Sequence, residues 1–346
     1  MKRKLLKNIF SISLSIVVTF LITSLIIIFA GKSPFDIFYV MFSEVFGSGY
    51  GLGQTLFKAT PLIIASTGVA ICFHASLFNI GAEGQLNIGS FVIALVIIKL
   101  SNLPPVIVIP VSILAGFIAS GILGYLTALI KIKKGVNEVI TTIMMNFIIM
   151  AFINYLLTNF LAAEATVRTE KIPGSMMVPK FAEFTDYFKG SSVNVTFVIA
   201  IIIAVAAYFV IYKTKWGYQL RSAGYNEEAS RYIGLKINKI ILISFFIGAG
   251  LTSLVGMNFV MGYKGYYELG FSNNIGFTAI AVALLARNNP IGIIFSSLLF
   301  GFLDYGGLSV NTMIPKEIML VVQAVVILSI ISIDKISDKI FERVKI

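Results

Sequence analysis

The sequence predicts an all-α polytopic membrane protein of about ten transmembrane helices, built as a single membrane domain over residues 1–346, and three observations carry that prediction. Charged residues make up 12% of the chain, about half of the roughly 25% found in soluble domains. Hydrophobic residues reach 58%, and the mean hydropathy is +0.93. Apolar runs recur from end to end, as expected of a chain whose solvent is lipid. A spanning helix takes about 20 residues, so ten of them use roughly 200 of the 346 and leave connections too short for a separate catalytic domain.

The first apolar run, 9–30, follows the basic start Met1-Lys2-Arg3-Lys4. It is longer than the core of a signal peptide and lacks an A-x-A-like cleavage site, so it reads as a retained helix. Hydropathy and Pro/Gly breaks place the remaining spans at 56–73, 86–100, 105–130, 139–162, 193–212, 240–262, 275–286, 291–309 and 317–333. The runs 86–100 and 275–286 are short for a bilayer, and each adjoins a Gly/Asn stretch, NIGAEGQLNIG at 79–89 and GFSNNIG at 270–276. Short, broken helices of this kind line transport pathways. With the N-terminus in the cytoplasm, eighteen of the 27 lysines and arginines fall in cytoplasmic segments, which fits ten crossings with both termini inside. The two broken segments lie five crossings apart and must run in opposite directions. This predicts two inverted five-helix halves, roughly 9–162 and 193–333. The outside loop between them, 163–192, carries Pro173, Pro179 and mixed charges and is expected to be exposed, with little regular structure.

Composition also limits function. The net charge of +11 has a topological explanation, and no lysine- and arginine-rich face interleaved with aromatics lies outside the apolar runs, so the expected partner is membrane lipid and not nucleic acid. One cysteine, Cys72, and one histidine, His74, give no material for a disulfide, a cysteine-bearing zinc site or a Cys/His nucleophile pair on separate segments. The Gly-Lys-Ser at 31–33 has Ile26 where a P-loop needs its first glycine. No catalytic residue, metal site, cofactor or nucleotide site is expected, and any nucleotide energy must come from a separate subunit.

The polar residues inside the apolar runs are the candidates for function. In NIGAEGQLNIG, glycines 81, 84 and 89 allow bending and close helix approach, while Asn79, Glu83, Gln85 and Asn87 must face protein or a watery path. Glu83 has two readings, a pathway group or a structural carboxylate bonded to backbone N–H groups. Asn137 and Glu138 stand at a helix start, where capping accounts for both. Asn146, about two turns deeper, needs a partner at that depth and is the better pathway residue. Asp304, in FSSLLFGFLDYGGL, is a carboxylate at membrane depth, either on the path and able to accept from a ribose hydroxyl or structural near the outer helix end.

The longest cytoplasmic connection is 213–239. Its residues Asn226 to Tyr232 favour a short helix, with Asn226 as the cap, Glu227 and Glu228 in the first turn, and Gly234 as the terminator. Such a helix can dock in a groove on a soluble partner, or the stretch can be a plain solvated loop.

Glu228-Ala229-Ser230, followed after three residues by Gly234, resembles the EAA-x3-G pattern of bacterial ABC importer permeases, in which the helix docks on the ATPase. Ser230 stands where that pattern usually has alanine. More broadly, LFNIGAEGQLNIG at 77–89, GVNEVITTIMMN at 135–146, RSAGYNEEASRYIG at 221–234 and GFTAIAVALLARNNPIGI at 276–293 resemble the permeases of the branched-chain amino acid, simple sugar and nucleoside group, and the wording is most similar to the nucleoside subgroup. The resemblance implies a multi-pass subunit of the bacterial cell (inner) membrane. It also implies three partners: a cytoplasmic ATP-binding subunit, a second and unequal permease chain, and an extracytoplasmic substrate-binding lipoprotein. Transport would proceed by alternating access, with ATPase coupling through Asn226, Glu227, Glu228, Ala229 and Gly234. Simple sugars are the alternative cargo. An ion-coupled secondary carrier using Glu83, Glu138 and Asp304 is the alternative class.

Overall fold

A computed structural model describes residues 20–163 and 166–343 together with Leu14, Val17 and Val18, so the basic start and much of the first half of the 9–30 run lie outside the described residues. In chain order the helices are α1 (Phe20–Phe29), α2 (Pro34–Phe46), α3 (Gly49–His74), α4 (Ala82–Lys99), α5 (Pro105–Lys134), α6 (Glu138–Leu156), α7 (Thr196–Lys213), α8 (Lys215–Tyr225), α9 (Glu227–Tyr232), α10 (Ile237–Ser253), α11 (Ile275–Leu285), α12 (Pro290–Ser309) and α13 (Lys316–Arg343). Helices α6 and α10 run on into π-helical stretches, Leu157–Leu161 and Met257–Lys264. Among the described residues there is no strand; extended backbone pairs at two isolated bridges, Arg168 with Glu268 and Lys180 with Asn194.

Among the described residues, each predicted apolar run is met by a helix. Seven of these, α3 to α7, α10 and α12, are long and apolar enough to cross a membrane, and α1 with α2 forms a pair bent by 114°. The run expected to be short at 86–100 is of spanning length, because α4 starts at Ala82 and takes in the polar stretch before the run. At 1.5 Å per residue the 11 residues of α11 reach about 16 Å, roughly half of a bilayer's hydrocarbon core, so α11 is a half-helix. The bend after α1 is not anticipated by hydropathy, yet its local cause is in the sequence. Ser33 accepts from the Asp36 N–H, Pro34 takes the first helical position and Asp36 sits in the first turn, so a new helix starts after a break of only four residues, 30–33.

Helix α3 starts seven residues before the predicted span because Ser48 accepts from the Gly51 N–H and caps it. Lys58, only two residues inside the predicted span 56–73, is therefore well within a helix. The loop 163–192 also departs from expectation. Its described part is irregular but not exposed throughout, since Ile172 and Met176 join the main core and the backbone finds partners in the stretch after α10. Thr169 N–H donates to the Tyr267 carbonyl at 2.9 Å, Ile172 N–H to Gly265 at 2.8 Å and Val178 N–H to Met261 at 3.0 Å. These bonds make the segment a strap across the end of the bundle where the π-helical stretch after α10 finishes.

The bundle is layered by burial. In their apolar stretches α3, α4 and α10 are 83%, 72% and 72% buried, whereas α5, α6 and α7 are 28%, 22% and 28% buried and present their apolar sides outward, where lipid belongs. Helix α5 packs along α10 as α12 packs along α3, α4 leans on α5 and α10, and α11 leans on α12 and α3. The two inner helices α3 and α10 cross at Gly68 and Gly248. A Cβ on Gly68 would lie 2.4 Å from the Gly248 carbonyl oxygen, and one on Gly248 would lie 2.7 Å from the Gly68 carbonyl oxygen and from Cys72 Sγ. Only glycine permits this approach.

Replacing Gly68 with leucine is expected to separate α3 from α10 and lower stability by at least the 1–3 kcal/mol of a typical overpacked core. Gly174→Leu, where an added Cβ meets nothing within 4 Å, serves as the control. The amount of monodisperse protein after heating in detergent should fall for the first variant and match the wild type for the second.

Candidate functional site

The site grows from the point where the start of the spanning helix α4 meets the half-helix α11. Gly276, in the first turn of α11, lies so close to α4 that a Cβ there would be 2.3 Å from the Glu83 nitrogen. Glu83 stands in the first turn of α4, and its carboxylate reaches the start of α11, where Gly276 N–H donates to Oε2 at 2.7 Å and Ser272 Oγ donates to Oε1. One carboxylate thus lies between the positive N-terminal ends of two helices. Asn87, one turn along α4, donates to the Glu83 carbonyl at 2.8 Å and to Ser272 Oγ at 3.1 Å, while the Tyr267 hydroxyl donates to Asn87 Oδ1 at 3.0 Å.

A second set of amides shapes the turn before α4. Asn79 and Gln85 exchange amide hydrogen bonds at 2.9 and 3.0 Å, and Asn79 Oδ1 also accepts from Gly81 N–H at 3.0 Å. From α6, Asn146 accepts from Gly84 N–H at 2.8 Å and donates to the Ile80 carbonyl at 2.9 Å. Five of the six residues expected on a substrate path, Asn79, Glu83, Gln85, Asn87 and Asn146, are therefore brought together, buried, and bonded to protein groups. The sequence identifies these groups as needing partners, and the partners are supplied by the turn before α4, α6 and the loop before α11.

Asp304 lies apart from them. It pairs with Lys58 of α3 at 2.9 Å, and both side chains remain about a third exposed. The pair borders a cleft between α3, α11, α12, α13 and the stretch after α10, with a volume of about 120 Å³. Its other lining residues include Phe259, Phe271, Asn273 and Gln323. Lys58 is the cleft residue that sequence reasoning missed. The available signal was a lysine only two residues inside a predicted span facing an aspartate of similar depth on another helix.

The end of the bundle expected to face the cytoplasm is built on α8 and α9. Thr214 caps α8 by accepting from Gly217 N–H at 3.1 Å. Leu220 and Ala223 then pack with Ile71, Cys72 and Ala75 of the α3 end and with Ile237, Ile240 and Ile241 of α10. Gly224 sits against α3 so closely that a Cβ would lie 2.2 Å from the His74 carbonyl oxygen, and Ser76 Oγ donates to the Gly224 carbonyl at 2.6 Å. His74 in turn donates through Nε2 to the Asn288 carbonyl at 3.0 Å, in the turn between α11 and α12.

Helix α9 has the predicted form. Asn226 accepts from Ala229 N–H at 2.9 Å, Glu227 and Glu228 occupy the first turn, and Gly234 follows with φ +85°. Ser230 is the buried residue of α9, with its hydroxyl 3.2 Å from that of Ser222 on α8, so the serine in the alanine position ties α9 to α8. Asn226, Glu227, Glu228, Ala229 and Gly234 are all exposed, as are Tyr225, Tyr232 and Ile233 beside them. Helix α8 lies in the part of 213–239 for which no element is predicted, because an amphipathic helix that packs under a bundle gives no hydropathy signal of a span.

An all-α bundle with a half-helix seated on a spanning helix, a charged cleft and an exposed helix at one end defines a multi-pass membrane transport protein. The chain belongs to the family described as branched-chain amino acid transport system/permease component, whose model matches residues 51–331. Over 314 residues it is 32% identical to the guanosine ABC transporter permease protein NupP of Bacillus subtilis, covering 89% of each chain. It is 33% identical to the glucose ABC transporter permease protein TsgB13 of Haloferax volcanii, over 86% of this chain and 80% of the relative. It is 31% identical to the nucleoside ABC transporter permease protein NupB of Lactococcus lactis, over 91% of this chain and 88% of the relative. No solved structure matches the chain.

Glu83→Gln keeps one acceptor and Glu83→Ala keeps none, leaving the Gly276 N–H and Ser272 hydroxyl unpaired. The alanine variant is expected to lose about 1–3 kcal/mol and the glutamine variant less. Thermal unfolding in nanodiscs measures this order. Unchanged stability together with lost transport would place Glu83 on the solute path and not in its frame.

Proposed function

We propose that this chain is the permease subunit of an ATP-driven importer of nucleosides in the bacterial cell (inner) membrane. The single observation that carries the importer class is the cytoplasmic unit. One face of α8 is fixed to α3 and α10, and α9 projects with its capping, acidic and terminating residues all exposed, the arrangement a docked ATP-binding subunit needs. The nucleoside cargo rests on the wording of the NIGAEGQ and GVNEVITT stretches and on the names of NupP and NupB. The similarity to a glucose permease supports simple sugars as the second cargo.

An ion-coupled carrier is less well supported. Glu83 is buried among donors, Glu138 is held by Lys131 at 2.6 Å and Asp304 by Lys58 at 2.9 Å, so each relay carboxylate already has a fixed partner.

In the proposed assembly a second permease chain completes the path, a lipoprotein delivers solute from outside, and both termini lie in the cytoplasm. The matched packing of α5 on α10 and α12 on α3 supports two inverted halves, which rock about the α3–α10 crossing during alternating access. Asp304 lines the path. Asn79, Glu83, Gln85, Asn87 and Asn146 hold the half-helices that frame it. When the ATP-binding subunits close, α9 moves, and α8 passes the displacement to the inner end of α3 and, through His74, to the α11–α12 turn.

Glu228→Lys, and separately Ile233→Asp, are expected to release the ATP-binding subunit while leaving the membrane domain folded, because both positions are exposed and neither contributes to the core. Co-purification of the ATP-binding subunit and uptake of labelled nucleoside should fall together, by about tenfold or more for loss of an anchor worth 1.4 kcal/mol or above. Wild-type co-purification and uptake in both variants would remove α9 from the coupling role.

A further inference from the structure

The charges of Lys58 and Asp304 lie on spanning helices, and their side chains are 31% and 35% exposed. Hydrocarbon offers no partner to a charge of either sign, so the open side of the pair meets water or solute. The cleft they border has two kinds of wall. Phe259 and Phe271 meet edge to face with centroids 5.3 Å apart and give an aromatic side, while Asn273 and Gln323 add amides beside the ion pair. Asn273 and Asn274 have φ of +43° and +64°, a left-handed conformation that is uncommon outside glycine and concentrates at functional sites. That turn sets Asn273 in the cleft at the start of α11. On a scale where one water takes about 10–15 Å³, the 120 Å³ of the cleft holds roughly ten waters, which a solute of nucleoside size would displace.

We infer that this cleft recognises solute directly, and that it takes an uncharged solute presenting an apolar ring face and a hydroxyl- or amide-bearing edge, the chemistry of a nucleoside. The inference rests on the importer reading and adds the site and its rule of selection. The lysine and aspartate cancel, so an uncharged solute can place its ring on the phenylalanines and its hydroxyls on Asp304 without leaving any charge unpaired. A phosphorylated nucleoside would bring a third charge, and to be bound it must either break the pair or stay uncompensated. The pair thus admits nucleosides and rejects their phosphates. Removing the carboxylate charge alone reverses the rule, because Lys58 is then free to hold an anion.

The test uses the whole transporter in nanodiscs without the binding lipoprotein, so that the lipoprotein's own preference is absent. Binding of radiolabelled adenosine is measured against unlabelled adenosine, adenosine 5′-monophosphate and glucose. The wild type should bind adenosine and ignore the monophosphate and glucose. Asp304→Asn should weaken adenosine by about tenfold, the loss of one hydrogen bond to a charged group, and should let the monophosphate compete. The neutral pair Lys58→Gln/Asp304→Asn should again exclude the monophosphate, and this result guards against a fold defect in the single variant. Phe271→Ala should weaken adenosine without admitting the monophosphate. The inference is overturned if wild-type nanodiscs bind no adenosine, if glucose competes equally, or if Asp304→Asn leaves both ligands unchanged. Adenosine uptake in cells is scored separately. Wild-type uptake together with any of those outcomes keeps the importer and removes the cleft as its recognition site, whereas no uptake of any nucleoside removes the importer reading itself.

Discussion

A helix that begins inside a membrane bundle has N–H groups at its first turn that lipid cannot satisfy, and the position of α11 depends on how that requirement is met. Glu83 meets it from α4, 193 residues earlier in the chain. Because the same carboxylate stands in the first turn of α4, the two half-buried starts are held to each other and not merely capped. Ser272, Asn87 and Tyr267 then fix the loop that leads into α11, and the strap bonds to the backbone of that loop at Tyr267 and Gly265. The floor of the cleft and the strap form one connected arrangement that begins at this carboxylate.

The end of the bundle that carries α8 and α9 shows the complementary arrangement, in which steric contact takes the place of charge. Gly224 against the His74 carbonyl leaves no slack between α8 and α3. The imidazole of His74 continues the contact to Asn288, so the turn joining α11 and α12 is tied to the same block. Displacement at α9 therefore has a short path of packed atoms to the helix that carries Lys58 and to the helix that carries Asp304.

Much of this was legible from residue types. A run such as NIGAEGQLNIG within an apolar chain must find polar partners, and the short run after GFSNNIG is a half-helix for reasons of length alone. The Asn226 cap and the Gly234 stop follow from local chemistry, and α9 has those bounds. What could not be read were the partners, because Glu83 with Gly276, Asn146 with Gly84 and Lys58 with Asp304 are contacts between distant parts of the chain. Local signals were also passed over where hydropathy dominated. Ser33, Pro34 and Asp36 mark a helix start, and Ser48 marks another. Hydropathy alone places no element over 34–46, and it starts the next span at 56, which leaves Lys58 two residues from the span's end.

The ion pair also has an electrical consequence. Moving one elementary charge across a membrane held at 100 mV involves about 2.3 kcal/mol. A cleft that changed its exposure from one side to the other with a lone lysine or a lone aspartate would do part of that work, or have it done, at every turnover. Lys58 and Asp304 move as a unit with no net charge when they stay in contact, and a neutral nucleoside adds none. With respect to this cleft, the membrane voltage neither drives nor resists a change of exposure in which the pair and its solute stay neutral.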